Sequence, residues 1–258
     1  MGCLVGSQML NGVYQNAAAM TGLEHWNNSI AQNIAQSSTP GYKKATLSFE
    51  GVEAGNVGIQ NEFGKTLEHA TLQTKGVGSV DFTSGSIVHT NGDFDFAIEG
   101  DGFFEVRADD GQIVYTRDGQ FKVNDQGELV TKQGFNVLDD TRNAIELDLT
   151  RGKLQAANDG TLRQNGIMVA ELSIRGIKNP GDLIRSHGGF ILPGGEQGVT
   201  RHLENAFVRQ GALEQSNVSA TTEMINLISV SRSFQINQRV VQQQDQLLGK
   251  AIQSLGGR

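Results

Sequence analysis

Apolar side chains recur at helical spacing at both ends of the chain and alternate in short runs between them. Near the N-terminus Val13, Ala17, Met20, Ile30, Ala31 and Ile34 follow the step of an amphipathic helix, which predicts one long helix over about 7–37. Thr39-Pro40-Gly41 ends it, because the residue before proline is pushed out of the helical region and glycine follows. Near the C-terminus Leu227, Phe234, Val241, Leu248 and Leu255 hold an unbroken period of seven, the seam of a coiled coil. The companion stripe of Met224, Ser231, Gln238, Asp245 and Ile252 is mostly polar, unlike that of a strict two-stranded zipper. Asn217 or Ser219 can cap this helix, Glu223 suits the positive end of its dipole, and Gly256-Gly257 stops it.

The middle of the chain has the period of strands. Residues 86–90 lead into Asn91-Gly92, a type I′ hairpin dipeptide, after which Phe94, Phe96 and Ile98 alternate with Asp93, Asp95 and Ala97. Turn signals follow at Asp101-Gly102, Asp110-Gly111, Asp118-Gly119, Gln126-Gly127 and Gln133-Gly134, with short strands at 103–107, 112–117, 120–123, 128–131 and 135–138. Closely spaced turns with no helix between them specify an antiparallel meander, sandwich or barrel and exclude a parallel doubly wound sheet. The fold class is α+β: an N-terminal helix over 1–42, an extended linker over 43–75, an antiparallel β domain over 76–210, and a C-terminal helix over 211–258.

Charge sharpens the picture at the ends. Residues 1–42 hold one charged side chain, Glu24, and the outer faces of both helices are written in Gln, Asn, Ser and Ala. A solitary long helix in water normally carries a charged outer face, so these helices are expected to pack against other subunits on several sides. Of 258 residues, 33 are Gly, 22 Gln and 18 Asn, and the net charge is −7. That acidic balance, with no basic stripe, argues against a nucleic-acid partner. No apolar run approaches the ~20 residues of a membrane span. The N-terminus lacks the pattern of a cleavable signal and, with Gly6 where Ser or Thr is required, that of a myristoyl anchor.

Catalytic and cofactor chemistry is sparse. Gly100-Asp101-Gly102-Phe103-Phe104-Glu105 starts like a dinucleotide fingerprint but lacks its third glycine and opens a strand. His25, His69, His89, His187 and His202 have no metal-ligand spacing, and Cys3 alone reads as a buried or incidental thiol. Asp101, Asp110, Asp118 and Asp159 precede glycines as tight turns require, and Arg117 and Asp118 point to opposite sides of a strand. Asn217-Val218-Ser219 matches a glycosylation sequon but reads first as capping chemistry. No catalytic residue, cofactor or metal is expected.

Four motifs resemble those of flagellar basal-body rod and hook proteins: Ile30-Ala31-Gln32-Asn33-Ile34-Ala35-Gln36-Ser37-Ser38-Thr39-Pro40-Gly41-Tyr42-Lys43, Phe96-Ala97-Ile98-Glu99-Gly100-Asp101-Gly102-Phe103-Phe104, Tyr115-Thr116-Arg117-Asp118-Gly119-Gln120-Phe121, and Gly211-Ala212-Leu213-Glu214-Gln215-Ser216-Asn217-Val218. The first departs at Gln32 and Gln36, where the family has asparagine. The short connector and single β domain suit a rod-type subunit more than a hook subunit, with proximal-rod members nearer than distal-rod ones. The resemblance implies a helical tube in which the terminal helices form a coiled-coil-like inner layer (D0) and the β domain (D1) an outer one. Partners would be further copies, other rod or hook subunits and the flagellar export apparatus, with the termini disordered before assembly and export needing no cleaved signal. The expected location is the periplasmic rod of the basal body. Assembly would fall to Val13, Ala17, Met20, Ile30, Ile34, Leu227, Phe234, Val241, Leu248 and Leu255. A trimeric phage-tail or adhesin-like β protein, and a cell-wall hydrolase using Asp101 or Glu105, are the competing readings.

Overall fold

The computed structural model describes residues 2–60, 66–148, 150–193, 195, 198–200 and 206–256. These form two compact units, the first built from both chain ends and residues 45–80, the second from residues 36–44 and 81–218. The class is α+β, with a helix at either end of the chain and an antiparallel β domain between them.

In the first unit α1 (Gly2–Ala35) and α2 (Ala220–Gly256) pack against each other. Asn16 of α1 donates to Gln244 of α2 at 3.4 Å and Asn33 to Glu223 at 3.4 Å, so the helices run antiparallel. No helix among the described residues is long and apolar enough to cross a membrane. Of the two candidate caps Ser219 is the one used: its hydroxyl accepts from Thr222 N–H at the start of α2. Asn217 is committed elsewhere, as described below.

The stretch read as an extended linker is a correction. It is a long antiparallel hairpin of β1 (Ala45–Gln60) and β2 (Thr66–Val80), with a bulge where Glu53 pairs Leu72 and Asn56 pairs Ala70. Gly51, Gly55 and Gly58 break the alternation that would have marked β1, and Gly55 sits in the bulge, where the extra residue bends the strand. Backbone pairing therefore makes this element without a clean apolar face to announce it.

Asn33 secures the hairpin's first residue. Its amide nitrogen donates to Ala45 C=O at 2.8 Å while its oxygen accepts Ala45 N–H at 2.9 Å, as a strand neighbour would. Asn33 and Glu223 are both 1% exposed, so an amide that pairs both ways avoids leaving buried polar groups unmatched.

The second unit begins with β3 (Ile87–His89), β4 (Phe96–Glu99), β5 (Phe103–Arg107), β6 (Ile113–Thr116), β7 (Phe121–Val123), β8 (Leu129–Thr131) and β9 (Asn136–Val137). It continues through β10 (Leu154–Ala156), β11 (Thr161–Gln164), β12 (Ile167–Glu171), β13 (Ile174–Ile177), β14 (Ile184–Ser186), β15 (Gly189–Ile191), β16 (Val199–Thr200), β17 (Phe207–Gln210) and β18 (Ala212–Glu214). The main antiparallel sheet runs in the order β14-β15-β6-β5-β9-β8-β7, with β13 also pairing β5 and β16. Beside it lie the meander β10-β11-β12 and the ribbons β3-β18 and β4-β17. The core gathers Phe96, Ile98, Phe104, Phe121, Leu129 and Leu162, with Phe104 and Phe121 edge-on at 5.3 Å. Each such side chain contributes ~1.5–3 kcal/mol on burial.

Asn91-Gly92 does not make a hairpin between its neighbours, a second correction. β3 and β4 pair instead with β18 and β17, and residues 90–95 loop out of that ribbon opposite Gly211. Two-residue turns with both φ positive are at Asn165-Gly166 (52° and 78°), joining β11 to β12, and at His187-Gly188 (51° and 76°), joining β14 to β15. The Asp-Gly pairs are turns: Asp110, Asp118 and Asp159 each accept the N–H two residues on, from Gln112, Gln120 and Thr161.

Replacing Asn33 with Leu is expected to lower stability by about 1–3 kcal/mol, the cost of stranded buried partners. It should also speed hydrogen exchange at the Ala45 amide. Urea melts with amide exchange read by NMR check both, and unchanged protection at Ala45 would refute the tie.

Candidate functional site

In the first unit the two sides of α2 differ. Leu227, Phe234 and Val241 are half-buried and Val230 is buried, on the side whose Glu223 and Gln244 bond to α1. The opposite side carries Met224 (52% exposed), Ile225 (61%), Ile228 (54%), Ile236 (59%) and Leu247 (55%). On α1, Ile30 is buried while Met20 and Ile34 are half-buried. The side chains of Val13, Ala17, Leu248 and Leu255 lie outside the described residues. The heptad reading thus picked out the side of α2 turned to α1 and missed the exposed stripe. Its signal was present in the 11-residue steps from Ile225 to Ile236 to Leu247, which bring side chains back to nearly the same angle of a helix.

The second unit holds a buried ion cluster. Glu214, at the end of β18, is 1% exposed. Lys43 Nζ lies 2.7 Å from its Oε1 and Arg117 Nη1 3.1 Å from its Oε2. Gly85 N–H donates to Oε1 at 2.9 Å, and Lys43 also donates to Thr83 C=O at 2.9 Å. Arg117 donates further to the carbonyls of Ile98 at 3.2 Å and Gly100 at 2.7 Å. Burial is the dominant influence on Lys43 and lowers its pKa from 10.5, against the opposing pull of Glu214. Burial likewise lowers Arg117.

The surrounding residues of the same motifs brace the cluster. Gly41 has φ +66° and donates to Glu214 C=O at 2.8 Å; a Cβ there would meet the Arg117 backbone at 2.2 Å, so no other residue fits. Arg185 stacks on Tyr42 with its Cζ 4.4 Å from the ring centroid and on Phe190 at 5.2 Å, and donates to Lys43 C=O. Asn217, the other candidate cap, accepts Lys44 N–H at 2.7 Å and donates to Asp81 C=O at 2.9 Å. Motifs far apart in the chain, at 40–44, 96–104, 115–121 and 211–218, therefore meet around one carboxylate.

Comparison with known proteins places these motifs in a family. Residues 97–170 match the model of the flagellar hook protein FlgE/F/G D1 domain, and residues 209–254 that of the flagellar basal body rod FlgEFG protein C-terminal region. Flagellar basal-body rod protein FlgF of Rhizobium meliloti is 31% identical over 249 residues, covering 96% of this chain and 99% of the relative. FlgF of Mesorhizobium japonicum is 30% identical over 250 residues, covering 97% and 100%. The chain belongs to the flagellar basal-body rod protein family. FlgG of Borreliella burgdorferi is also 30% identical, over 276 residues, with 94% and 98% covered.

A second buried carboxylate in this rod-family chain is also fully paired. Glu105 is fully buried and held by Arg175 at 2.9 Å, Arg142 at 3.0 Å and the Ser173 hydroxyl. Burial pushes its carboxyl up, but these hydrogen bonds together outweigh burial and leave it below its ordinary 4.5. Ser186 Oγ lies 2.7 Å from His187 Nδ1, but Asp110 is 4.0 Å from the other ring nitrogen and all three are open to solvent or spent on a turn. That is too loose to activate a nucleophile.

Glu214→Gln should lower stability by about 3–5 kcal/mol, because Lys43 and Arg117 would stay buried without their counter-charge. Denaturant unfolding followed by the near-ultraviolet signal measures this, and a loss under ~1 kcal/mol would be the value of a surface pair instead. Glu105 sets a pH dependence. A carboxyl with its folded pKa below the unfolded value contributes stability above that value and loses it as pH falls through the folded one. Stability should therefore drop on acidification below pH 4.5, with a shallower slope in Glu105→Gln, read from urea midpoints across the acid range.

Proposed function

We propose that this chain is a structural, non-enzymatic subunit of the bacterial flagellar basal-body rod, of the FlgF kind, polymerising into a helical tube that transmits torque. The observation that carries this is the apolar stripe on α2, Ile225, Ile228, Ile236 and Leu247, left exposed on the side away from α1 in a chain of the rod family. Each such isoleucine or leucine gains ~1.5–3 kcal/mol on leaving water. A row of them, interleaved with the exposed cations Arg232, Arg239 and Lys250, is suited to burial against neighbouring subunits that supply acidic or amide partners.

In the proposed tube the helices of neighbouring subunits form a coiled-coil-like inner layer, with Val13, Ala17, Met20, Leu248 and Leu255 contributing alongside the exposed stripe. The β domain faces outward. Contacts between unlike faces of identical subunits do not close, and so generate a filament. The partners are further copies and other rod or hook subunits. The location is the periplasmic part of the basal body, reached through the flagellar export apparatus without a cleaved signal. A FlgG-type distal-rod role is the second reading, favoured by the near-full-length match to the Borreliella burgdorferi protein.

Ile225→Asp combined with Ile236→Asp should abolish rod assembly and motility while leaving the thermal transition of the β domain unchanged. Motility assays and calorimetry test this; normal motility would overturn the role of the stripe. In dilute solution, limited proteolysis should cut both helical ends quickly and leave a resistant core near residues 81–218. Uniform resistance across the chain would favour a protein whose helices need no partner.

A further inference from the structure

Asn91-Gly92 is not spent on a hairpin turn, and the loop that holds it carries reactive chemistry. Gly211 pins this loop: the N–H groups of Thr90 and Asn91 donate to its C=O at 2.8 and 3.0 Å, and its own N–H donates to Asp95 C=O at 2.8 Å. Asn91 is exposed, with φ +58°. Gly92 N–H donates to the Thr90 hydroxyl at 3.3 Å, and that hydroxyl donates to Asp95 Oδ2 at 2.5 Å. A Cβ on Gly92 would stand 2.4 Å from the same Oδ2, so the missing side chain leaves room for the carboxylate beside the backbone.

Those contacts line up a proton relay on a backbone nitrogen that follows an asparagine. A glycine nitrogen can attack the side-chain amide carbon of the preceding asparagine with no Cβ in the way. A neutral amide is a weak nucleophile, and an adjacent base that takes its proton activates it. Here the Thr90 hydroxyl accepts from the nitrogen and passes on to a carboxylate, as general base catalysis through one intermediary requires. The bonds to Gly211 hold the partners in place beforehand, which lowers the entropic cost of reaching the reactive geometry.

We propose that Asn91 is a self-processing deamidation site, with Thr90 and Asp95 as its built-in base. Gly92 N–H gives its proton to Thr90 Oγ1 as Thr90 passes its own to Asp95, and the Gly92 nitrogen bonds to Asn91 Cγ. The Cγ–Nδ2 bond then breaks, and Nδ2 leaves as ammonia with the proton returned by the relay. Water opens the resulting cyclic imide at either carbonyl, leaving aspartate or isoaspartate at position 91. Either product adds a negative charge to a loop that already holds Asp93 and Asp95. Isoaspartate also lengthens the backbone between the bonds that tie Asn91 N–H to Gly211 and Asp95 N–H to Gly92.

Asn165-Gly166 is the control within the molecule. It is the same dipeptide and also exposed, but it sits in a tight two-residue turn, where among the described residues no side chain accepts from Gly166 N–H. The test is prolonged incubation of the full-length protein in warm neutral buffer, with aspartate and isoaspartate at both sites read by peptide mass spectrometry. Asn91 is expected to convert at least about tenfold faster than Asn165 in the folded protein, and urea should remove that excess. Thr90→Val and Asp95→Asn should each erase it while Thr90→Ser keeps it, with the thermal transition of each variant reporting that the β domain is folded. An unreacted Asn91, equal rates at the two sites in the folded protein, an excess that persists in urea, or one that survives Thr90→Val or Asp95→Asn would each overturn the proposal.

Discussion

Glu214 carries a charge out of reach of water, and three other stretches of chain converge to answer it. Removing a carboxylate from water costs several kcal/mol unless a cation and further hydrogen bonds replace its solvation. Here the replacements come from Lys43, Arg117 and Gly85, and each is itself placed by something else: Lys43 by Thr83 C=O, Arg117 by two carbonyls, Gly85 by the bond from Gln215 N–H to the adjoining Ser86 C=O. None of these segments can move without stranding a charge. The strand that carries Glu214, the turn after α1, the 81–86 loop and the end of β6 are therefore positioned jointly. An apolar plug of the same volume would hold them as firmly. What the charges add is pairing in both directions, since Glu214 answers Lys43 and Arg117 and each of these donates to further carbonyls.

This explains why some of the molecule can be read from one sequence and some cannot. Features set by neighbours in the chain are legible: both helices announce themselves by period, Pro40 ends the first, and the Asp-Gly pairs declare turns because the carboxylate reaches its own backbone two residues on. Features set by distant partners are not. Asn91-Gly92 and Asn165-Gly166 are the same dipeptide, but only the second becomes a two-residue hairpin, since the strands around the first pair with β17 and β18. The β1-β2 hairpin escapes for another reason, as its glycines erase the alternation a reader looks for. Lys43, Arg117 and Glu214 each stood in a recognisable motif. That they touch is a fact about sequence separations of 171 and 97 residues, on which local chemistry is silent.

The same distinction governs α2. A period of seven was found, and it describes the side turned toward α1, where Asn16 and Asn33 meet Gln244 and Glu223. The exposed stripe repeats every 11 residues instead. At 3.67 residues per turn such a row tends to the opposite supercoil from a heptad at 3.5. No single partner helix can follow both rows along their length, because one row would wind away from it as the other is satisfied. Two apolar rows of different pitch on opposite sides are compatible with a layer in which each helix has several neighbours at different crossing angles. Amides suit the ground between the rows, since Gln and Asn can hydrogen-bond to whatever backbone or side chain arrives without the desolvation cost of a charge. On the proposed reading, the near absence of charge over residues 1–42, where Glu24 stands alone, and the second apolar row of α2 both suit a surrounding made of other helices instead of water.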